Sequence, residues 1–122
     1  MADADKETIR IPPILLEWSK WTAWSSISRV TIPKVAGVYE VKYADQNKRL
    51  TIGKALNLRR RIKQQLVRGK KHSSGKKILA NEDVSRIVVR WATTDRCAAA
   101  EEELHEQHRN NFDELPEYTK HT

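Results

Sequence analysis

Four kinds of side chain that together suit a phosphodiester are spread along the chain: a tyrosine, a lysine, an arginine cluster and a glutamate. Tyr39 lies in a strand-like segment, Lys54 follows a glycine, and residues 59–61 are three consecutive arginines. A planar guanidinium suits two phosphate oxygens, because its N–H groups form a rigid fork. The sequence therefore predicts a phosphodiester site where these segments meet at one sheet edge.

Two strands and a helix must position these residues. Residues 36–43 alternate with a period of two, and residues 44–48 have the polar chemistry of a turn. Leu50 and Ile52 are the apolar pair of a second strand, which leaves Thr51 on the opposite face. Gly53 then predicts a tight turn into a helix that starts near residues 55–57. The first strand is expected to place Tyr39, Val41 and Tyr43 on one face, and Val38, Glu40 and Lys42 on the other.

The helix after Gly53 has an apolar stripe at Leu58, Ile62 and Leu66. Arg61 lies beside that stripe, so we expect its guanidinium to reach the sheet edge. The other cations of the region form either a solvated basic face, as we favour for Arg60, or a nucleic-acid surface. The candidate nucleic-acid contacts are Arg59, Arg60, Lys63, Lys70, Lys71, His72, Lys76 and Lys77.

Composition points to an acidic partner. The 122 residues suit one domain, and the net charge is +7. Residues 48–90 hold 14 Lys and Arg against two acids, so the charge is concentrated there and the remainder is net acidic. Such asymmetry favours a groove that follows a nucleic-acid backbone. Residues 68–77 are predicted to be a loop, in which His72 is a candidate for contacting phosphate or for protonating a leaving group.

Several expectations concern location and assembly. The polar start of the chain is not typical of a signal peptide, and no run approaches a membrane span. A single cysteine, Cys97, excludes an internal disulfide and a cysteine-based zinc cluster. We therefore expect a cytoplasmic protein without a membrane partner, as a monomer or weak dimer.

The first 35 residues are predicted to be an arm and a tryptophan-rich helix that packs on a domain of residues 36–122. Apolar residues between Ile14 and Trp24 recur at helical spacing. The tryptophans at 18, 21 and 24 could instead form a base-stacking platform, but a stripe at this spacing is more typical of packing.

A third strand is predicted at residues 84–93 and a final helix at residues 95–111. Within that helix Glu101 falls in the same stripe as Cys97 and Leu104, whereas Glu102 and Glu103 rotate away. A carboxylate on an apolar face is costly unless it is paired or binds a metal. As a hard oxygen ligand it suits Mg²⁺ or Mn²⁺. The alternative is that Glu101 lies on the helix surface.

These segments resemble the GIY-YIG nuclease superfamily, which includes homing endonucleases, restriction enzymes and the incision subunit of bacterial nucleotide excision repair. Residues 37–39 (GVY) match the first tripeptide, and residues 51–53 (TIG) stand where the second belongs. Residues 53–61 closely resemble the repair enzyme's GKA-x-NL-x-x-R. The resemblance covers residues 36 to about 113.

The resemblance implies hydrolysis of one phosphodiester per site with one divalent cation. It makes Tyr39 the first tyrosine, which acts on water, Lys54 the lysine after the glycine, Arg61 the phosphate ligand and Glu101 the metal ligand. Two positions depart from the family pattern. Thr51 replaces the second tyrosine, and Asp113 stands where the repair enzyme has asparagine.

The expected fold is α+β: a small GIY-YIG-like domain whose three-stranded mixed or antiparallel sheet is flanked by helices, with the tryptophan-rich helix added. The expected function is a metal-dependent DNA endonuclease that nicks one strand per site, with a DNA-repair role among its candidates. The alternative is a nucleic-acid-binding module that lost cleavage, as the Thr51 departure suggests. Charge alone does not exclude RNA as the partner.

Overall fold

A computed structural model describes residues 14–70 and 73–119. Its strands are β1 (Thr22–Ala23), β2 (Gly37–Tyr43), β3 (Arg49–Ala55) and β4 (Ile87–Thr93). Its helices are a π-helix (Arg60–Leu66), α1 (Ser74–Asn81), α2 (Cys97–Phe112) and two short 3₁₀ helices (Trp24–Arg29 and Val84–Arg86). The predicted α+β class is confirmed.

The strands form one antiparallel sheet in the order β1-β4-β2-β3. The prediction of three strands was wrong, because β1 was missed. A strand of two residues is too short to show alternation, and it forms only by pairing with β4. The predicted third strand starts three residues late, at Ile87, because residues 84–86 form a 3₁₀ turn after Asp83, whose carboxylate accepts from the Ser85 N–H.

The predicted tryptophan-rich helix is also wrong. Residues 14–21 have no regular secondary structure and follow the edge of β4, where the Ser19 N–H donates to the Trp91 carbonyl at 2.8 Å. Ile14, Leu16 and Trp18 pack against one apolar cluster, so the segment alternates with a period of two. The apolar residues of this segment fit both a period of two and helical spacing, so the sequence alone did not distinguish a strand from a helix. The predicted N-terminal arm, residues 1–11, lies outside the described residues.

Gly53 does not make the turn that the sequence predicted. It lies inside β3 and pairs with Tyr39 of β2, and the strand continues to Ala55. The glycine is needed for space: a Cβ there would lie 2.5 Å from the Tyr39 ring. The chain leaves the strand at residues 56–57 instead.

The predicted stripe of the next helix is confirmed, since Leu58, Ile62 and Leu66 are all buried in the core. The helix is a π-helix, in which the Val67 N–H bonds to the Ile62 carbonyl five residues earlier. It packs against α1, whose first four residues (74–77) fall within the predicted loop 68–77.

Gly75 allows α1 to lie close to the π-helix. A Cβ on Gly75 would lie 1.9 Å from the Leu66 carbonyl oxygen. The glycine that indicated a loop in the sequence is therefore a packing residue inside a helix. Within residues 14–70 and 73–119, no helix has both the length and the apolar character needed to cross a bilayer.

Candidate functional site

A cavity of about 470 Å³ opens at the outer edge of β3, which is an edge strand of the sheet. Residues from β2, β3, the π-helix and α2 line it. The structure brings all four predicted catalytic residues to this cavity: Tyr39, Lys54, Arg61 and Glu101. These side chains are 62 positions apart at most in the sequence, so only the folded topology brings them together.

Tyr39 reaches the cavity because β3 has no side chain in its path. Tyr39 and Gly53 are paired across the two strands and face the same side of the sheet. An added Cβ at Gly53 would lie 2.5 Å from both the Cζ and the hydroxyl of Tyr39. The phenol ring therefore lies over the glycine, and its hydroxyl is carried to the open edge of the sheet.

Burial raises the pKa of Tyr39, because a phenolate is poorly solvated in the core. Arg61 opposes this shift through its charge and a hydrogen bond, and Glu101 adds to it. Burial outweighs Arg61, so the phenol stays protonated at neutral pH in the protein alone.

Arg61 is held in place from β3. Its Nη1 donates to the Lys54 carbonyl at 3.0 Å, which fixes the guanidinium beside the end of the strand. The start of its helix is fixed by Asn57, whose Oδ1 accepts from the Arg60 N–H at 3.1 Å. In the sequence pattern Asn57-Leu58-x-x-Arg61, the asparagine thus accepts from the backbone at the start of the helix, the leucine anchors it in the core, and the arginine lies at the cavity.

Glu101 faces the cavity, as predicted, and pairs with Lys54 across 3.5 Å. Its side chain is 21% exposed, against 50% for Lys54. Glu102, the next residue, is exposed. The rotation of α2 was therefore predicted correctly for Glu101 and Glu102, but not for Glu103, which is half-buried and accepts from the Ile14 N–H at 3.3 Å.

The donor set fits a divalent cation that arrives together with an anionic ligand. Glu101 is the only carboxylate among the described residues that line the cavity. Residues 14–70 and 73–119 contain no group of three metal-capable side chains. One carboxylate gives Mg²⁺ a single protein ligand, and this ion usually keeps water and phosphate oxygens for the rest. We therefore expect weak binding of the ion by the protein alone.

The predicted nucleic-acid contacts do not all lie at the cavity. Lys70 lines it, and Arg60, Lys76 and Lys77 are exposed. Two others bond to the preceding chain: Arg59 donates to the Ile32 carbonyl at 2.7 Å, and Lys63 to the Ser28 carbonyl at 3.4 Å. Lys71 and His72 lie outside the described residues.

Sequence reasoning missed several residues of the cavity wall. Gln65 follows Arg61 by four positions, so helical spacing could have indicated it. Ser73 and Ser74 start α1 within the stretch that was predicted to be a loop. Tyr118 comes from the C-terminal segment, and no signal in the sequence pointed to it. All four line the cavity.

Thr51 and Tyr118 share this wall. Thr51 is 2% exposed, and the Tyr118 N–H donates to the neighbouring Leu50 carbonyl at 2.8 Å. The Tyr118 hydroxyl donates to Glu82 at 2.5 Å, and the hydroxyl of Tyr43 donates to the same carboxylate. Burial, and then the hydrogen bond to Glu82, raise the pKa of Tyr118, so it forms a neutral part of the wall.

Asp113, the second departure from the family pattern, caps α2. Its φ of 63° is left-handed, and its N–H donates to the Arg109 carbonyl at 2.7 Å. It does not line the cavity. Its position is therefore explained by helix termination.

No protein-family model matches the chain, and no curated protein or solved structure matches it.

Proposed function

We propose that this protein is a metal-dependent endonuclease that hydrolyses DNA phosphodiester bonds and nicks one strand per site. The observation that supports this most is the meeting of Tyr39, Lys54, Arg61 and Glu101 at one open cavity. A phenol, two cations and a carboxylate supply what phosphoryl transfer needs: positioning, charge stabilisation and a path for a proton. The similarity of residues 37–61 to GIY-YIG nucleases supports the same conclusion.

Arg61 and Lys54 bind the phosphate in this proposal. Arg61 offers the planar fork, and its bond to the Lys54 carbonyl limits its rotation. Lys54 is half exposed and paired with Glu101, so its ammonium can turn toward an anion in the cavity. Both cations stabilise the negative charge that spreads over the equatorial oxygens in the transition state.

Tyr39 orients the attacking water. A phenolic hydroxyl both accepts and donates hydrogen bonds, so it can take a proton from water while passing its own toward solvent. The water oxygen forms a bond to phosphorus, and the bond from phosphorus to the leaving sugar oxygen breaks. The leaving oxygen takes a proton from solvent. One product end is a hydroxyl and the other is a phosphomonoester.

Glu101 is the residue that would hold Mg²⁺ or Mn²⁺. The ion would supply positive charge beside the phosphate and the acidity that makes water a nucleophile at neutral pH. Because Glu101 is the one carboxylate that the described residues bring to the cavity, the substrate phosphate must complete the binding site. Metal and DNA are therefore expected to bind cooperatively.

The second candidate is a DNA- or RNA-binding module that no longer cleaves. Thr51 favours it, because a threonine hydroxyl is far less acidic than the tyrosine expected at that position. Thr51 is also only 2% exposed, in the wall that it shares with Tyr118. The basic segment would still bind a nucleic-acid backbone in this case.

Nicking of supercoiled plasmid separates the two candidates. Wild-type protein with Mg²⁺ or Mn²⁺ is expected to produce nicked circles, and chelation of the metal should stop the reaction. Glu101→Gln should lower the rate by at least about a hundredfold, since losing one group that stabilises the transition state costs about that much. Glu102→Gln is the matched control, because it removes the same charge from an exposed neighbour.

Two outcomes would count against the endonuclease. Binding of plasmid without metal-dependent nicking by the wild type would support the binding module. Equal nicking by Glu101→Gln and wild type would assign the activity to another site or to a contaminant.

A further inference from the structure

One large apolar side chain projects into solvent at the rim of the candidate site. Leu56 directly follows β3, lines the cavity together with Lys54 and Arg61, and is 84% exposed. Turns usually carry glycine, asparagine, aspartate or serine, so a leucine here is not explained by turn chemistry. The core does not explain it either, because Leu56 is outside both apolar clusters of the described residues.

The backbone that carries Leu56 is fixed on both sides. Ala55 before it is buried at the end of β3. After it, the Asn57 Oδ1 accepts from the Arg60 N–H, and the Leu58 N–H donates to the Val35 carbonyl at 2.9 Å. Leu56 is therefore an exposed leucine on an anchored turn, in a segment where most exposed side chains are cationic.

In the proposed DNA substrate, the nucleobases are the groups that can cover the Leu56 side chain. Phosphates and cations cannot cover a leucine, but the faces of nucleobases can. Apolar side chains that DNA-binding proteins insert between base steps partly unstack them. A phosphate held at Arg61 would place the adjoining nucleotide near Leu56, since both line one cavity.

We propose that Leu56 is a wedge that contacts the base beside the scissile phosphate and selects DNA in which that base is already unstacked. This inference rests on the proposed function and narrows its substrate to bulged, flapped or otherwise distorted strands. Continuous duplex must pay a few kcal/mol to unstack a step, whereas an unpaired nucleotide does not.

The test compares Leu56→Gln with wild type on three labelled DNAs of matched sequence: a continuous duplex, a duplex with one unpaired nucleotide and a flap. Wild type should nick and bind the bulge and the flap more strongly than the duplex. Leu56→Gln should lose about tenfold on those two substrates, as expected for burial of one leucine, and little on the duplex. Folding should be unaffected, because the side chain is exposed.

Leu15→Gln is the matched control. Leu15 is 91% exposed and does not line the cavity, so this variant should match wild type on all three DNAs. A second measurement reports unstacking directly. With 2-aminopurine next to the mapped nick site of the continuous duplex, fluorescence should rise when saturating Glu101→Gln protein binds and should not rise when Leu56→Gln is added to that background.

The outcomes separate the wedge from the endonuclease itself. If the protein neither binds nor nicks any of the DNAs, the proposed function fails and the wedge with it. If wild type and Leu56→Gln nick all three substrates alike, or the fluorescence rise survives the substitution, the endonuclease stands and the wedge is overturned.

Discussion

Two clusters in this small domain each place a carboxylate beside two cations. They differ in how far the carboxylate is buried and hydrogen-bonded. Glu40 is 3% exposed and accepts from Arg49 at 3.0 Å and from Arg90 at 2.8 Å. The Arg90 guanidinium lies under two indole rings, 4.0 Å from the Trp18 centroid and 4.5 Å from that of Trp21. We call this the closed cluster, because two guanidinium groups bind the buried carboxylate, although Glu40 and Arg49 also line a second cavity of about 410 Å³.

The cluster at the edge of β3 is open. Glu101 pairs at 3.5 Å with the half-exposed Lys54, and the Arg61 guanidinium lies at the same cavity. A closed cluster acts on stability, because removing one partner leaves a buried charge. In an open cluster, charges that are only partly paired within the protein can interact with a ligand. The difference between the two can be tested by substitutions that should affect stability at one and binding at the other.

The largest expected difference is in stability between two matched substitutions. Glu40→Gln should lower the free energy of unfolding by about 3 kcal/mol, because it leaves two guanidinium groups without their buried counter-ion. Glu101→Gln should lower it by well under 1 kcal/mol, since a partly exposed ion pair contributes little. Urea denaturation followed by tryptophan fluorescence gives both values. Equal losses would remove the distinction between a closed and an open cluster.

The contact between Tyr39 and Gly53 gives the next largest effect. Gly53→Ala forces a methyl against the phenol ring, and overpacking of this kind costs about 2 kcal/mol. In a Tyr39→Ala background the same substitution should cost much less. Gly37→Ala is the control, because its Cβ would meet the Ala92 carbonyl oxygen at 2.3 Å, so its cost should not depend on Tyr39.

A cost for Gly53→Ala that is unchanged by Tyr39→Ala would mean that the ring does not lie over the glycine. In the proposed enzyme, Gly53→Ala should also reduce nicking even where the protein remains folded, because the hydroxyl is displaced from the cavity.

The sequence predicted the residues of the open cluster but not those of the closed cluster. The three residues of the open cluster, and Tyr39 beside them, were predicted from motif spacing and from the apolar stripe that places Glu101. The closed cluster was missed, although the alternation put Glu40 and Lys42 on one face. Its tryptophans come from a segment whose apolar spacing fitted a helix and a strand equally well. Only the long-range bond between Ser19 and Trp91 decides between them.

Glycine was the other source of error, for a related reason. Gly53 and Gly75 indicate a turn and a loop by local rules, but each is required by a side chain or a carbonyl from a distant element. Packing of this kind leaves no pattern in one sequence. The two-residue strand β1 and the wall residue Tyr118 were missed for the same reason.

A pH effect should reach the closed cluster through His108. The Nε2 of His108 accepts from the backbone N–H of Arg49 at 3.1 Å, and its Nδ1 donates to the Glu114 carbonyl at 2.7 Å. Burial, and then the charges of Arg49 and Lys48, lower the pKa of His108. The neutral ring therefore contributes stability above the unfolded pKa of about 6.5. That stability is lost as the pH falls from there through the lower folded pKa.

The loss cannot exceed about 1.4 kcal/mol per pH unit for one group. Unfolding midpoints in urea at several pH values between neutral and mildly acid should show it, and His108→Gln should flatten that part of the profile. A wild-type profile without a histidine-dependent fall would contradict the assignment of a neutral ring that accepts from Arg49.

The smallest expected effect is on salt dependence, and it belongs to the open cluster. Lys70 is exposed and lines the cavity, so Lys70→Gln should remove about one phosphate contact. The slope of log Kd against log salt should then fall by roughly one. Lys20→Gln is the control, because Lys20 is exposed and outside the cavity lining. Fluorescence anisotropy with a labelled duplex at several salt concentrations gives both slopes. If the two substitutions change the slope equally, the protein attracts DNA through its overall charge. The DNA is then not held preferentially at the open cluster.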